Sequence, residues 1–134
     1  MKYKVVYNNC YGCFCLSTKA VDWLEKNASD PILIKYIKIK KNEYNNNNIN
    51  NITDEKSKQQ SLCYNISEWF FEKRHHSDLV NVVEVLGKEA SNTCSELSIK
   101  EINSRLYYID VYDGYEDIII PSSKQWIIIE QGNN

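Results

Sequence analysis

Glycine is scarce in this chain, and the four present are not spaced as a dinucleotide-binding G-x-G-x-x-G or as a P-loop, so neither phosphate-cradling motif is available. No run of about 18 apolar residues occurs, which excludes a membrane-spanning helix. The opening Met1-Lys2-Tyr3-Lys4-Val5-Val6-Tyr7 lacks the long apolar core of an export signal, and the expected location is intracellular. Basic residues are not in excess either. Sixteen Lys and Arg against 18 Asp and Glu leave a formal net charge of −2, which argues against duplex nucleic acid as the main partner, because that affinity is built from many contacts to phosphate. Arginine is nearly missing, with only Arg74 and Arg105.

What is present fits one small globular domain over residues 1–134, with 43% hydrophobic and 25% charged content, enough for one core. The five cysteines are an odd number in a chain without an export signal, so they read as reduced thiols rather than a disulfide framework. Three of them fall in Asn8-Asn9-Cys10-Tyr11-Gly12-Cys13-Phe14-Cys15-Leu16-Ser17, a loop between a predicted strand over 2–7 and a predicted helix over about 18–28. Ser17 suits the helix N-cap, and Ala20, Val21, Leu24 and Ala28 share one helical face. Asp30-Pro31 is expected to stop that helix. The β-branched alternation of 32–40 reads as a strand with one wet face. From about 42 to 60 the Asn-rich chain carries too little apolar surface to offset ordering, and reads as a flexible surface insertion.

Residues 62–64 and 69–71 restart the ordered chain as extended segments. Ser77 is a second expected N-cap, opening a helix through Leu79, Val82, Val83, Leu86 and Ala90, with Asp78 placed to suit the helix dipole. Strands are expected over 96–102, 105–111, 115–120 and 125–130, with a link at Asn103-Ser104 and a type I′ hairpin turn at Asp113-Gly114. The fold class is α+β: an antiparallel β-sheet with two α-helices packed on one face.

Two chemistries suit the cysteine loop. Cys10, Cys13 and Cys15 with a distant His75, His76, Cys63 or Cys94 could hold zinc, although the second paired knuckle of a structural site is missing; Cys15 ahead of a helix could serve as a nucleophile. Buried, inert thiols are the commoner state of such residues. Read for geometry instead, Gly12, Ser17 and the first helical amides could hold a phosphate or carboxylate, although the residues alone favour an ordinary strand-to-helix turn. Arg74 beside His75 and His76, before a helix N-terminus, gathers fork-shaped donors and titratable rings that suit either an anionic ligand or a solvated charged loop ahead of a capped helix. Tyr11, Phe14, Tyr112 and Tyr115 are among the rings available for stacking, and the same ring types also fill cores.

The order of blocks carries a resemblance. Tyr7-Asn8-Asn9-Cys10-Tyr11-Gly12-Cys13-Phe14-Cys15-Leu16-Ser17 is similar to the Tyr-Asn-x-Cys-Tyr-Gly-Gly-Phe-Gly-Leu-Ser signature of a family of small phage and viral proteins; Arg74-His75-His76-Ser77-Asp78-Leu79-Val80, Val83-Glu84-Val85-Leu86-Gly87-Lys88-Glu89-Ala90 and Tyr108-Ile109-Asp110-Val111-Tyr112-Asp113-Gly114-Tyr115-Glu116 resemble its later blocks. The family is identified as that of the Thoeris anti-defence proteins of the first described type, and the likeness spans about two thirds of the chain, outside the Asn-rich insertion. It implies a non-enzymatic sponge that binds cyclic ADP-ribose isomers made by TIR-domain defence enzymes without cleaving them. It also implies a homo-oligomer in the cytoplasm of the infected host cell, with no cofactor and no metal. Phe14, Ser17, Arg74, Asp78, Tyr112 and Tyr115 are the positions it points to for ligand contact, with His75 added by the anion grouping. The chain departs from the signature at Cys13 and Cys15, where glycines are expected. The alternatives carried beside it are a metal- or thiol-dependent viral protein using Cys10, Cys13 and Cys15, and a protein-interaction module.

Overall fold

Ser17 opens the first helix as its composition requires: in a computed structural model describing residues 1–46, 55–123 and 129, its extended backbone leaves the side chain free to accept from the Ala20 amide at 3.0 Å. The chain runs β1 (Tyr3–Asn8), α1 (Thr18–Asn27), α2 (Pro31–Asn46), α3 (Glu55–Trp69), α4 (Ser77–Leu86), β2 (Leu97–Ile102), β3 (Tyr108–Tyr112) and β4 (Tyr115–Ile119), with single 3₁₀ turns at Gly87–Ala90 and Pro121–Ser123. The class is α+β. Its composition differs from the expected single sheet with two helices: among the described residues, four helices accompany two separate two-stranded antiparallel sheets, β1–β2 and β3–β4.

Three expected extended segments are helical in whole or in part. The stretch 32–40 lies in α2, where Leu33 and Ile37, one turn apart, are both fully buried. Burial of that face overrides the β preference of its isoleucines. Pro31 starts this helix rather than ending the last one, because its missing N–H falls where no intrahelical partner exists and Asp30 Oδ1 accepts from the Ile32 and Leu33 amides at 2.9 and 3.4 Å. Residues 62–64 and Trp69 lie in α3, whose Cys63, Ile66 and Ser67 are buried together with Phe70 just beyond its end, a helical spacing. Of the expected insertion, 42–46 lie in α2 and 55–60 in α3, and 47–54 lie outside the described residues.

The cap of α4 is His76, not Ser77, since the imidazole Nδ1 accepts from the Asp78 amide at 3.1 Å. Nδ1 is then the unprotonated nitrogen, leaving Nε2–H to donate to Asp30 Oδ2 at 3.0 Å. That bond, ahead of two backbone donors, holds the Asp30 carboxyl below its ordinary value.

Strand β2 pairs with β1 in the register Tyr3↔Ile102 to Asn8↔Leu97, so Asn103-Ser104 is not a hairpin link; β3 pairs with β4 instead. The Asp113-Gly114 turn is formed as its residues dictate, with φ of 50° and 83°. Val5 and Val6 point to opposite faces of β1. Val6 joins the main core with Leu16, Leu24, Leu33, Ile66, Phe70 and Leu79, whereas Val5 joins Ile102 and Ile118, which seats the β3–β4 hairpin against the β1–β2 sheet. The strand expected over 125–130 lies outside the described residues except for Ile129, which is exposed and in no element. Among the described residues no helix is long and apolar enough to cross a membrane.

Candidate functional site

The cysteine loop, the segment before α4 and the hairpin turn meet at one corner. Asn8 at the end of β1 is fully buried and organises it. Its amide donates to Glu116 Oε1 at 2.7 Å, its Nδ2 donates to the carbonyls of Cys10 and Gly114 at 3.1 and 3.0 Å, and its Oδ1 accepts from the Glu96 amide at 2.8 Å. Glu116 on β4 in turn takes both arms of the Arg74 guanidinium, at 2.6 and 2.8 Å. The guanidinium carbon lies 3.8 Å from the centre of the Phe14 ring and 5.7 Å from that of Phe71. The Arg74 carbonyl accepts from the Val6 amide at 2.9 Å, tying the segment before α4 to β1.

Arg74 and Phe14, both 4% exposed, are thus building material of this corner, and a ligand anion could reach the guanidinium only by displacing Glu116. Asp78 is committed in a similar way. It is 2% exposed and accepts from the Ser29 amide and hydroxyl and the Asp30 amide at 2.8, 3.0 and 3.0 Å, holding the α1–α2 link. Ser17, besides capping α1, donates to the Glu89 carbonyl at 2.6 Å. Tyr112 and Tyr115 are exposed beside the hairpin turn. The Tyr115 hydroxyl donates to Asn9 Oδ1 at 2.7 Å, and its ring lies 5.3 Å from that of Tyr11.

His75 stands apart from this corner and pairs with Tyr107, Nδ1 to hydroxyl at 2.7 Å. Two adjoining clefts share His75, Tyr107 and Arg105; the larger, about 450 Å³, is also walled by Phe71, Glu72 and Tyr108. The structure therefore gathers Phe14 and Arg74 at one buried pair, Tyr115 nearby at the surface, and His75 in a separate cleft, with Ser17 and Asp78 elsewhere. Asn8, Glu116, Arg105 and Tyr107 were not singled out by sequence reasoning. The rarity of arginine was the one signal that pointed to Arg105.

Two thiols of the loop, Cys13 and Cys15, are held in the protonated form. Burial, reinforced by the Cys94 thiol, pushes Cys13 up to about 12, and burial pushes Cys15 up to about 11. Among the described residues no three His, Cys, Asp or Glu side chains are grouped to hold a metal ion. Because a raised pKa leaves the thiol neutral near pH 8 and only the thiolate is alkylated, Cys13 and Cys15 should react with iodoacetamide at least about tenfold more slowly in the folded protein than in urea. Equal rates, read by mass spectrometry of the modified peptides, would contradict that protection. Comparison with protein-family models, with curated proteins and with solved structures finds nothing that matches this chain.

Proposed function

We propose that the protein binds and sequesters a cyclic ADP-ribose-type nucleotide without cleaving it, as a homo-oligomer acting against TIR-based antiviral defence in the cytoplasm of an infected host cell. The observation that carries the reading is the meeting of the resembling blocks in one corner: Asn8, Phe14, Arg74, Gly114 and Glu116 come from three separate blocks and are joined by direct contacts. Blocks that serve a common architecture are expected to interlock in this way. A sponge needs a shaped, partly desolvated surface with aromatic and cationic groups, and no nucleophile; the protonated state of Cys13 and Cys15 suits that requirement better than thiol catalysis. The clefts on one chain are open grooves, and a second copy would add the wall that slow dissociation calls for.

The test is to incubate the purified protein with cyclic ADP-ribose isomers, remove unbound nucleotide, and release what remains by heat. Intact nucleotide in the released fraction is the expected result. Recovery of altered nucleotide would turn the reading to an enzyme, and an empty fraction would remove it.

A further inference from the structure

The geometry points to the cleft of His75, Arg105 and Tyr107, rather than Arg74, as the place where this chain takes the phosphates and base of a nucleotide, an inference that rests on the nucleotide-binding reading. The two arginines have opposite fates. Arg74 is buried with both terminal nitrogens filled by Glu116, whereas Arg105 is exposed on the segment between β2 and β3, and among the described residues no hydrogen bond or ion pair engages its guanidinium. A guanidinium with its whole fork open is the donor best matched to a phosphate oxygen pair.

The His75 imidazole also lines the cleft, where its Nδ1 meets the Tyr107 hydroxyl at 2.7 Å, with the two rings edge to face at 5.7 Å. Phe71 and Tyr108, both exposed, give aromatic surface in the same cleft for a base. Its volume of about 450 Å³ lies within the range of small-molecule sites. Glu72 is the one carboxylate on its lining, and it is exposed, so it can turn to solvent when an anion enters.

The competing groove beside Ser17, Lys19 and Lys56 is nearly as large, at about 420 Å³, but its two lysines and the Ser17 hydroxyl are engaged. Ser17 uses its hydroxyl on Glu89 and Ala20, Lys19 pairs with Glu89 Oε2 at 2.8 Å, and Lys56 also has a partner.

Titration of ¹⁵N-labelled protein with ADP, and separately with inorganic pyrophosphate, tests the assignment. The expected result is that amide shifts cluster at His75, Arg105 and Tyr107, and that Arg105→Ala weakens ADP binding about tenfold or more while leaving the spectrum otherwise folded. Shifts centred on Ser17 and Lys19, undiminished binding by Arg105→Ala, or no binding of either probe would overturn the site. The two ideas fail separately. ADP bound at this cleft by a protein that retains no cyclic ADP-ribose isomer would keep the site and remove sequestration, whereas isomers retained equally by wild type and Arg105→Ala would keep sequestration and remove the site.

Discussion

Glu116→Ala is expected to lower the free energy of unfolding by about 3–5 kcal/mol, the usual cost of stripping one partner from a buried ion pair. Arg74 and Glu116 side chains are each only 5% exposed, so the guanidinium left behind could not turn to water. It would remain under the Phe14 ring, with its Nε, which already lacks a partner among the described residues, joined by two more unfilled nitrogens. The Asn8 amide would lose its acceptor as well. Urea unfolding at pH 7 measures the loss. Two controls give it meaning. Glu84→Ala, which breaks the Lys4 pair at 3.1 Å between side chains more than 40% exposed, should cost under about 1 kcal/mol, because solvent screens such pairs. The double variant Arg74→Met with Glu116→Leu should recover much of the loss, since no charge remains buried. A Glu116→Ala loss no larger than that of Glu84→Ala would mean that the pair is solvated and does not hold the corner.

That pair is invisible to local sequence pattern. Its members are 42 residues apart, and nothing local to either names the other. Where the deciding interaction is local, the sequence was legible: Ser17 bonds three residues ahead, Asp113 and Gly114 set their own turn, and the spacing of Leu79, Val82 and Val83 marks α4. Where tertiary burial decides, it was not. The Ile-Lys alternation of 32–40 satisfies a strand template, yet Leu33 and Ile37 fit one helical face that packs in the main core, and Lys41 at the far end reaches Asp22 and Glu25 on α1 at 2.6 and 2.7 Å. The candidate site divides along the same line. The charge of Arg74 and Asp78 is visible in sequence, but their burial and partners are not, and those turn both residues into internal fasteners. Arg105 carries the same charge with no partner among the described residues, a difference that only the fold reveals.

The second large effect is expected at the contact between two glycines. A Cβ on Gly114 would lie 1.6 Å from the Gly12 carbonyl oxygen and 2.4 Å from its carbon, and the residue also has a φ of +83°, so an L side chain there meets both a steric collision and a disfavoured backbone. Neither side can yield cheaply. The Gly114 carbonyl is held by Asn8 Nδ2 at 3.0 Å, and on the other side Gly12 is backed by Cys94, whose carbonyl oxygen would lie 2.0 Å from a Cβ on Gly12 and accepts from the Cys13 amide at 3.0 Å. Three alanine variants separate the contributions. Gly87→Ala has open space and a φ of +58°, so it should lose only backbone strain, about 1–3 kcal/mol. Gly12→Ala has the collision alone, about 1–3 kcal/mol or somewhat more. Gly114→Ala combines both and should lose about 4 kcal/mol or more, a large share of the 5–15 kcal/mol typical of a domain. Urea midpoints give the order, and the near-ultraviolet dichroism of the Tyr11–Tyr115 pair should fall in Gly114→Ala and persist in Gly87→Ala. If Gly114→Ala proves no costlier than Gly87→Ala, the hairpin turn does not rest on the loop, and the corner that joins the three blocks is looser than its contacts imply.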